Sequence, residues 1–231
     1  MAHLAKSLKS SPQLSYIDVS CNHTGPISAG ILARHHPLLQ TIILRGCGMG
    51  KRAAADLGRE IAKCSILSTL NVSGNDLKND GIYTLLRKAP TSITHLDLSR
   101  AGTGTGGAAR LAEALQRLHI RNLDISHNNL NDWGSRALQG DKGVLRKLTQ
   151  LSIGCNLTSE AGSVDLLLHL STLTTLRQLD LSGHWQAGRK PAWTPELANM
   201  RDECIITGVP PPELTEHPHP REAPQFTFTH S

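Results

Sequence analysis

Aromatic side chains are nearly missing from this 231-residue chain, which holds three tryptophans, two tyrosines and two phenylalanines, 3% of the total. Single-stranded nucleic acid is bound on aromatic platforms interleaved with basic residues. No such interleaving occurs here, so nucleic acid is not an expected partner despite a net charge of +5. The five cysteines, Cys21, Cys47, Cys64, Cys155 and Cys204, are odd in number and show neither close pairs nor histidines at zinc-ligand spacing. Structural zinc and a disulfide framework are therefore not expected. Nowhere do 18 apolar residues run uninterrupted, and Met1 to Leu8 carries neither the apolar core nor the small-residue cleavage site of a secretory signal. These absences predict an intracellular, cytoplasmic chain without a membrane segment.

What the chain does have is a recurrence. A leucine or isoleucine, two free residues, a second aliphatic, one free residue and a third aliphatic return seven times, usually with an asparagine three places on. The copies open at Leu14, Leu39, Leu67, Ile93, Ile120, Leu148 and Leu176, at steps of 25, 28, 26, 27, 28 and 28 residues. Leu67 to Leu77 and Ile120 to Leu130 are the cleanest. Between the aliphatic triplets the apolar residues shift to a helical period: Leu57 and Ile61, then Ile82, Leu85 and Leu86, then Leu111, Ala114, Leu115 and Leu118. Each copy thus reads as a short strand, a turn held by the asparagine at Asn22, Asn75, Asn128 or Asn156, and a returning helix. Cys47, Ala101 and His184 stand where that asparagine is lacking, and Leu157 comes one place earlier than the pattern expects.

The pattern fits the leucine-rich repeat, and over residues 1–185 the chain resembles the ribonuclease-inhibitor-like class of that family, because steps of 26 to 28 residues leave room for a full helix. The resemblance implies an α/β solenoid, a horseshoe with short parallel strands on the concave face and helices on the convex face. It also implies a non-catalytic surface for binding other proteins.

Both ends depart from the repeat. The first helix-like stretch, Leu4 to Leu8, has no strand before it, so the array starts mid-repeat. This predicts either a fragment of a longer repeat protein or a partner stacked on the open N-terminal edge. After Ser182 the period stops, and eight of the twelve prolines fall in the last 49 residues. Residues 186–209 are expected to form a C-terminal cap, with a short helix from Pro195 to about Glu203 and with Trp185, Trp193, Leu197, Met200 and Ile205 covering the last repeat. Residues 210–231 read as a proline-rich, irregular tail, extended or disordered, in which Phe226 and Phe228 alternate with threonine as a strand added to a partner's sheet would.

Two glycine motifs imitate nucleotide sites. Gly102 to Gly107 satisfies G-x-G-x-x-G after a strand and before a helix, with Asp124 some twenty residues on. Six other copies build the same unit without those glycines, and Gly46 to Lys51 is too short for a phosphate loop and has Arg52 in place of a magnesium ligand. No cofactor, no metal site and no catalytic constellation is expected, and the twelve histidines read as scattered surface imidazoles.

Function is therefore expected on the strand face, where equivalent residues form ladders. The candidate partner-binding residues are Tyr16, His95, Asn122 and Gln178 on one ladder, Asp18, Asn71, Asp97, Asp124 and Asp180 on another, and Arg45 just beyond. This face is mildly acidic, with Asp97 and Asp124 expected to have unburied side chains. Residues 1–182 nevertheless hold 20 basic and 13 acidic residues, so most positive charge falls on helices and turns. The leading expectation is an interaction or scaffold module that binds a protein of unknown identity through this face and through the tail. Two alternatives stay open: a structural subunit of a cytoskeletal or ciliary assembly, and a GTPase regulator similar to the activating protein of Ran GTPase.

Overall fold

Alternation of three aliphatics with free residues folds each copy into a three-residue strand with its middle side chain inward. In a computed structural model, residues 11, 13–22, 25–139, 144–183 and 204–207 of the protein are described. The strands are β1 (Tyr16–Asp18), β2 (Thr41–Ile43), β3 (Thr69–Asn71), β4 (His95–Asp97), β5 (Asn122–Asp124), β6 (Gln150–Ser152), β7 (Gln178–Asp180) and β8 (Ile205–Thr207). The helices are α1 (Gly25–His35), α2 (Lys51–Ile61), α3 (Lys78–Leu86), α4 (Thr105–Gln116), α5 (Asn131–Gln139) and α6 (Glu160–Ser171), with a 3-10 turn at Val144–Lys147. The strands form one parallel sheet in chain order. Strands repeat at about 4.8 Å and packed helices at roughly 8–10 Å, so the stack curves with the sheet inside. This is a leucine-rich-repeat solenoid.

Register keeps like residues in line. Ile17, Ile42, Leu70, Leu96, Leu123, Leu151, Leu179 and Ile206 are paired rung to rung and buried. Leucines at 57, 85, 111, 138 and 166 close the core from the helix side. Burial of these rows is what holds neighbouring copies together.

The asparagines do more than hold their own turns. Asn128 Nδ2 donates to the Ile125 carbonyl of its own repeat and, at 2.8 Å, to Leu98 of the preceding one, while its Oδ1 accepts from the amides of Ala101 and Thr103. Asn75 and Asn156 repeat the arrangement, and all three are buried. Each is therefore a cross-repeat staple. Where Ala101 replaces it, the preceding turn closes on itself, with the Leu77 amide donating to Asn75 O at 2.9 Å. Leu157, the early leucine, adopts a left-handed φ of 58° and is exposed.

Strand β8 lies in the segment expected to form the cap. It pairs in register with β7, Leu179 against Ile206, and Ile205 is a half-exposed residue of this strand. Trp185, Trp193, Leu197, Met200, the expected helix from Pro195, the missing asparagine at His184, the stretch from Leu4 to Leu8 and the tail with Phe226 and Phe228 lie outside the described residues.

Candidate functional site

Register assembles two ladders on the sheet's open face. Tyr16, Thr41, Thr69, His95, Asn122, Gln150, Gln178 and Ile205 form one; Asp18, Ile43, Asn71, Asp97, Asp124, Ser152, Asp180 and Thr207 form the other. Seven of the ten candidate residues, Asn71, His95, Asp97, Asn122, Asp124, Gln178 and Asp180, line one open groove of about 460 Å³. Tyr16, Asp18 and Arg45 lie outside it. Thr69, Gln150, Ser152 and Thr207 also line it. Of these, Thr207 could not be anticipated without knowing of β8.

The acidic ladder is tied down rather than free. Oδ1 of Asp97 accepts from the Ser99 amide and hydroxyl at 2.9 and 2.8 Å, and Oδ2 accepts from Asn71 Nδ2 at 2.7 Å. Asp18 with Ser20, Asn71 with Ser73, Asp124 with Ser126 and Asp180 with Ser182 make the same turn. Asp97 and Asp124 are half-exposed and not among the buried residues. The recurring Asp/Asn-x-Ser was visible in the sequence and is the signal for this turn.

Crowding sets the electrostatics of the groove floor. Burial pushes the Asp124 carboxyl above its ordinary value of 3.8; hydrogen bonds from Ser126 oppose this, and the charges of Asp97 and Asp180 add to it. Asp180 behaves oppositely. Burial pushes its carboxyl up too, but hydrogen bonds from Ser182, Ser152 and Thr207 together outweigh burial and hold it below that value.

Part of the helix-side positive charge is spent between repeats. Arg34 reaches buried Glu60 at 2.8 Å, Arg136 reaches Asp165 at 2.7 Å, and Arg117 donates to the carbonyls of Leu86 and Ala89. The glycine cluster has a packing cause. A Cβ on Gly107 would stand 2.2 Å from Asn79 Oδ1, and that oxygen already accepts from the Gly104 amide at the start of α4. His36 departs from the surface reading, since it is fully buried with neither ring nitrogen hydrogen-bonded. It stands three residues before Leu39, as buried Cys64, Leu145 and Leu173 stand before Leu67, Leu148 and Leu176. Among the described residues no group of three or more His, Cys, Asp or Glu is placed to hold a metal, and no helix is long and apolar enough to cross a membrane.

A family model described as Leucine Rich repeat matches residues 63–86 and 118–138, which carry β3 with α3 and β5 with α5. Among curated proteins, the chain is 30% identical over 190 residues to human NACHT, LRR and PYD domains-containing protein 12, covering 78% of this chain and 18% of that protein. It is 27% identical over 231 residues to bovine Tonsoku-like protein, covering 79% of this chain and 17% of that protein. The chain thus spans less than a fifth of the length of these relatives. Among solved structures, the leucine-rich repeat-containing protein LegL7 from Legionella pneumophila superposes with a TM-score of 0.61 at 17% identity, over 89% of this chain and 69% of that one. Seven registered copies, an eight-stranded parallel sheet with asparagine staples, and these likenesses place the chain in the leucine-rich-repeat family.

Proposed function

We propose that the chain is a non-catalytic, intracellular protein-binding module whose partner lies along the ladders of the strand face. The carrying observation is the open groove of about 460 Å³ that runs across β2 to β8 and is floored by carboxylates fixed in their turns. Such a floor is preorganised, so a partner binds without the cost of ordering it. The groove's Asp row and polar row offer acceptors and shape, and the Ser152 and Thr207 hydroxyls donate to Asp180 and hold it in place.

The test must remove charge without breaking the turns. Asn71 makes the same bonds to Ser73 that aspartate makes elsewhere, so Asp97→Asn, Asp124→Asn and Asp180→Asn together keep the fold and neutralise the floor. Affinity capture from cells with the triple variant is expected to lose the partner that the wild type retains. A variant of the helix side, Arg87→Gln with Lys88→Gln, is expected to keep it. Retention by the triple variant together with loss by the helix-side variant would move the binding surface off the sheet. Acceleration of GTP hydrolysis by Ran would replace the scaffold reading with the regulator.

A further inference from the structure

Two thiols meet at the junction of the first two repeats. Cys21 is exposed and takes a left-handed turn conformation, φ 58°. Its amide donates to the Arg45 carbonyl at 2.7 Å, and a Cβ built on Gly46 would stand 3.6 Å from its sulfur, so the Cys21 thiol lies over the residue just before Cys47. The Cys47 thiol occupies the asparagine-staple position, 3.2 Å from the Val19 carbonyl and 3.5 Å from that of Arg45. Because the Arg45 oxygen is common to both, the Cys47 sulfur is no further from the Cys21 nitrogen than the sum of the two distances, 6.2 Å. The amides of Asn22 and Cys21 face the same sulfur. Cys21 lies three residues beyond β1 and Cys47 four beyond β2, in adjacent turns held together by the Cys21–Arg45 bond; a disulfide between them needs Cα atoms roughly 4.4–6.8 Å apart.

We infer that Cys21 and Cys47 form an oxidation site, converted by a peroxide to a disulfide that staples the first repeat to the second. The exposed Cys21 meets the oxidant: its thiolate attacks one oxygen of hydrogen peroxide, the O–O bond breaks, the other oxygen leaves as water after protonation, and Cys21 becomes a sulfenic acid. The Cys47 sulfur then attacks Cys21 Sγ, the S–O bond breaks, and the departing hydroxide takes the Cys47 proton as a second water. Two thiols thereby supply two electrons and two protons to one peroxide. Burial pushes the Cys47 thiol up, which assigns the first step to Cys21 and the resolving step to Cys47.

The full chain, reduced, exposed to hydrogen peroxide, alkylated and digested with trypsin, should yield residues 10–34 joined to residues 46–51 by a disulfide. Cys47→Asn installs the residue that the next repeat uses at Asn75 and so keeps the fold, verifiable by circular dichroism. In that variant Cys21 should instead be trapped as a sulfenic acid by dimedone. The inference is overturned if wild-type Cys21 is recovered unmodified or as sulfenic or sulfinic acid while Cys47 is alkylated. Linkage of Cys21 to Cys64, Cys155 or a second chain overturns it equally.

Discussion

Cys47 shows how much a single side chain decides in a stack. The residue at its position elsewhere, as at Asn128, donates to the strand carbonyls and accepts from two turn amides of the preceding repeat; a thiol is a weak version of both. Cys47→Asn should therefore raise stability by about 1 kcal/mol in urea unfolding. Asn128→Ala should lower it by about 3 kcal/mol or more, because Leu98 O and the amides of Ala101 and Thr103 would be left buried without partners. The groove carboxylates give predictions of opposite sign. Native Asp124 binds its proton more readily than the unfolded chain between 3.8 and its raised value, so stability falls as pH rises through that window and stays reduced at neutrality. Asp124→Asn, which keeps the acceptor for Ser126, should then stabilise at pH 7 by ~0.5 kcal/mol, a half-exposed group's scale, and by less at pH 4. Native Asp180, held below 3.8, contributes stability that is present above that value and fades as pH falls, so Asp180→Asn should destabilise at pH 7. The aspartates were legible as a ladder because alternation gives the face. Their turn bonds follow from the serine two residues on, a second period that a reading centred on leucines passes over.

At the scale of elements, strands β1 to β7 were legible because three aliphatics mark each one. Strand β8 was not, because the sequence around Ile206 lacks the other two aliphatics of the triplet, with Glu203 three places before it and Gly208 two places after. A strand can join a sheet through backbone bonds and one inward side chain, and here the Ile205 amide donates to Arg177 O at 2.8 Å and the Leu181 amide to Thr207 O at 3.1 Å. Sequence periodicity reports side chains and is silent about such bonds. Ile206→Ala should cost about 2 kcal/mol at this edge, and hydrogen exchange should show lost protection at the Leu181 and Ile205 amides with β1 to β5 unchanged. The glycine cluster illustrates the converse. Its motif was conspicuous, yet Gly107 answers to the approach of Asn79 from the neighbouring repeat, a contact that no local pattern encodes.

The whole molecule is a line rather than a ball. Helices α1 to α6 pack each on the next, as the strands pair each with the next, so stability is a sum of repeats and of the faces between them. A lesion then has consequences set by its place in the line. Leu123, buried at the middle of the sheet, fills space shared by β4, β5 and β6. Leu123→Ala leaves a cavity that costs about 3 kcal/mol, and it weakens two stacking faces at once while leaving the others intact. The two halves should then melt apart: denaturant unfolding should broaden or split, and exchange should proceed fastest at β5 while β2 and β7 keep separate protection. A single transition of unchanged steepness would mean that coupling between distant copies is stronger than neighbour stacking provides. The effect of the same truncation at Leu179 would then equal that at Leu123, whereas a linear array makes it smaller, because among the described residues Leu179 is followed by one strand and Leu123 by three.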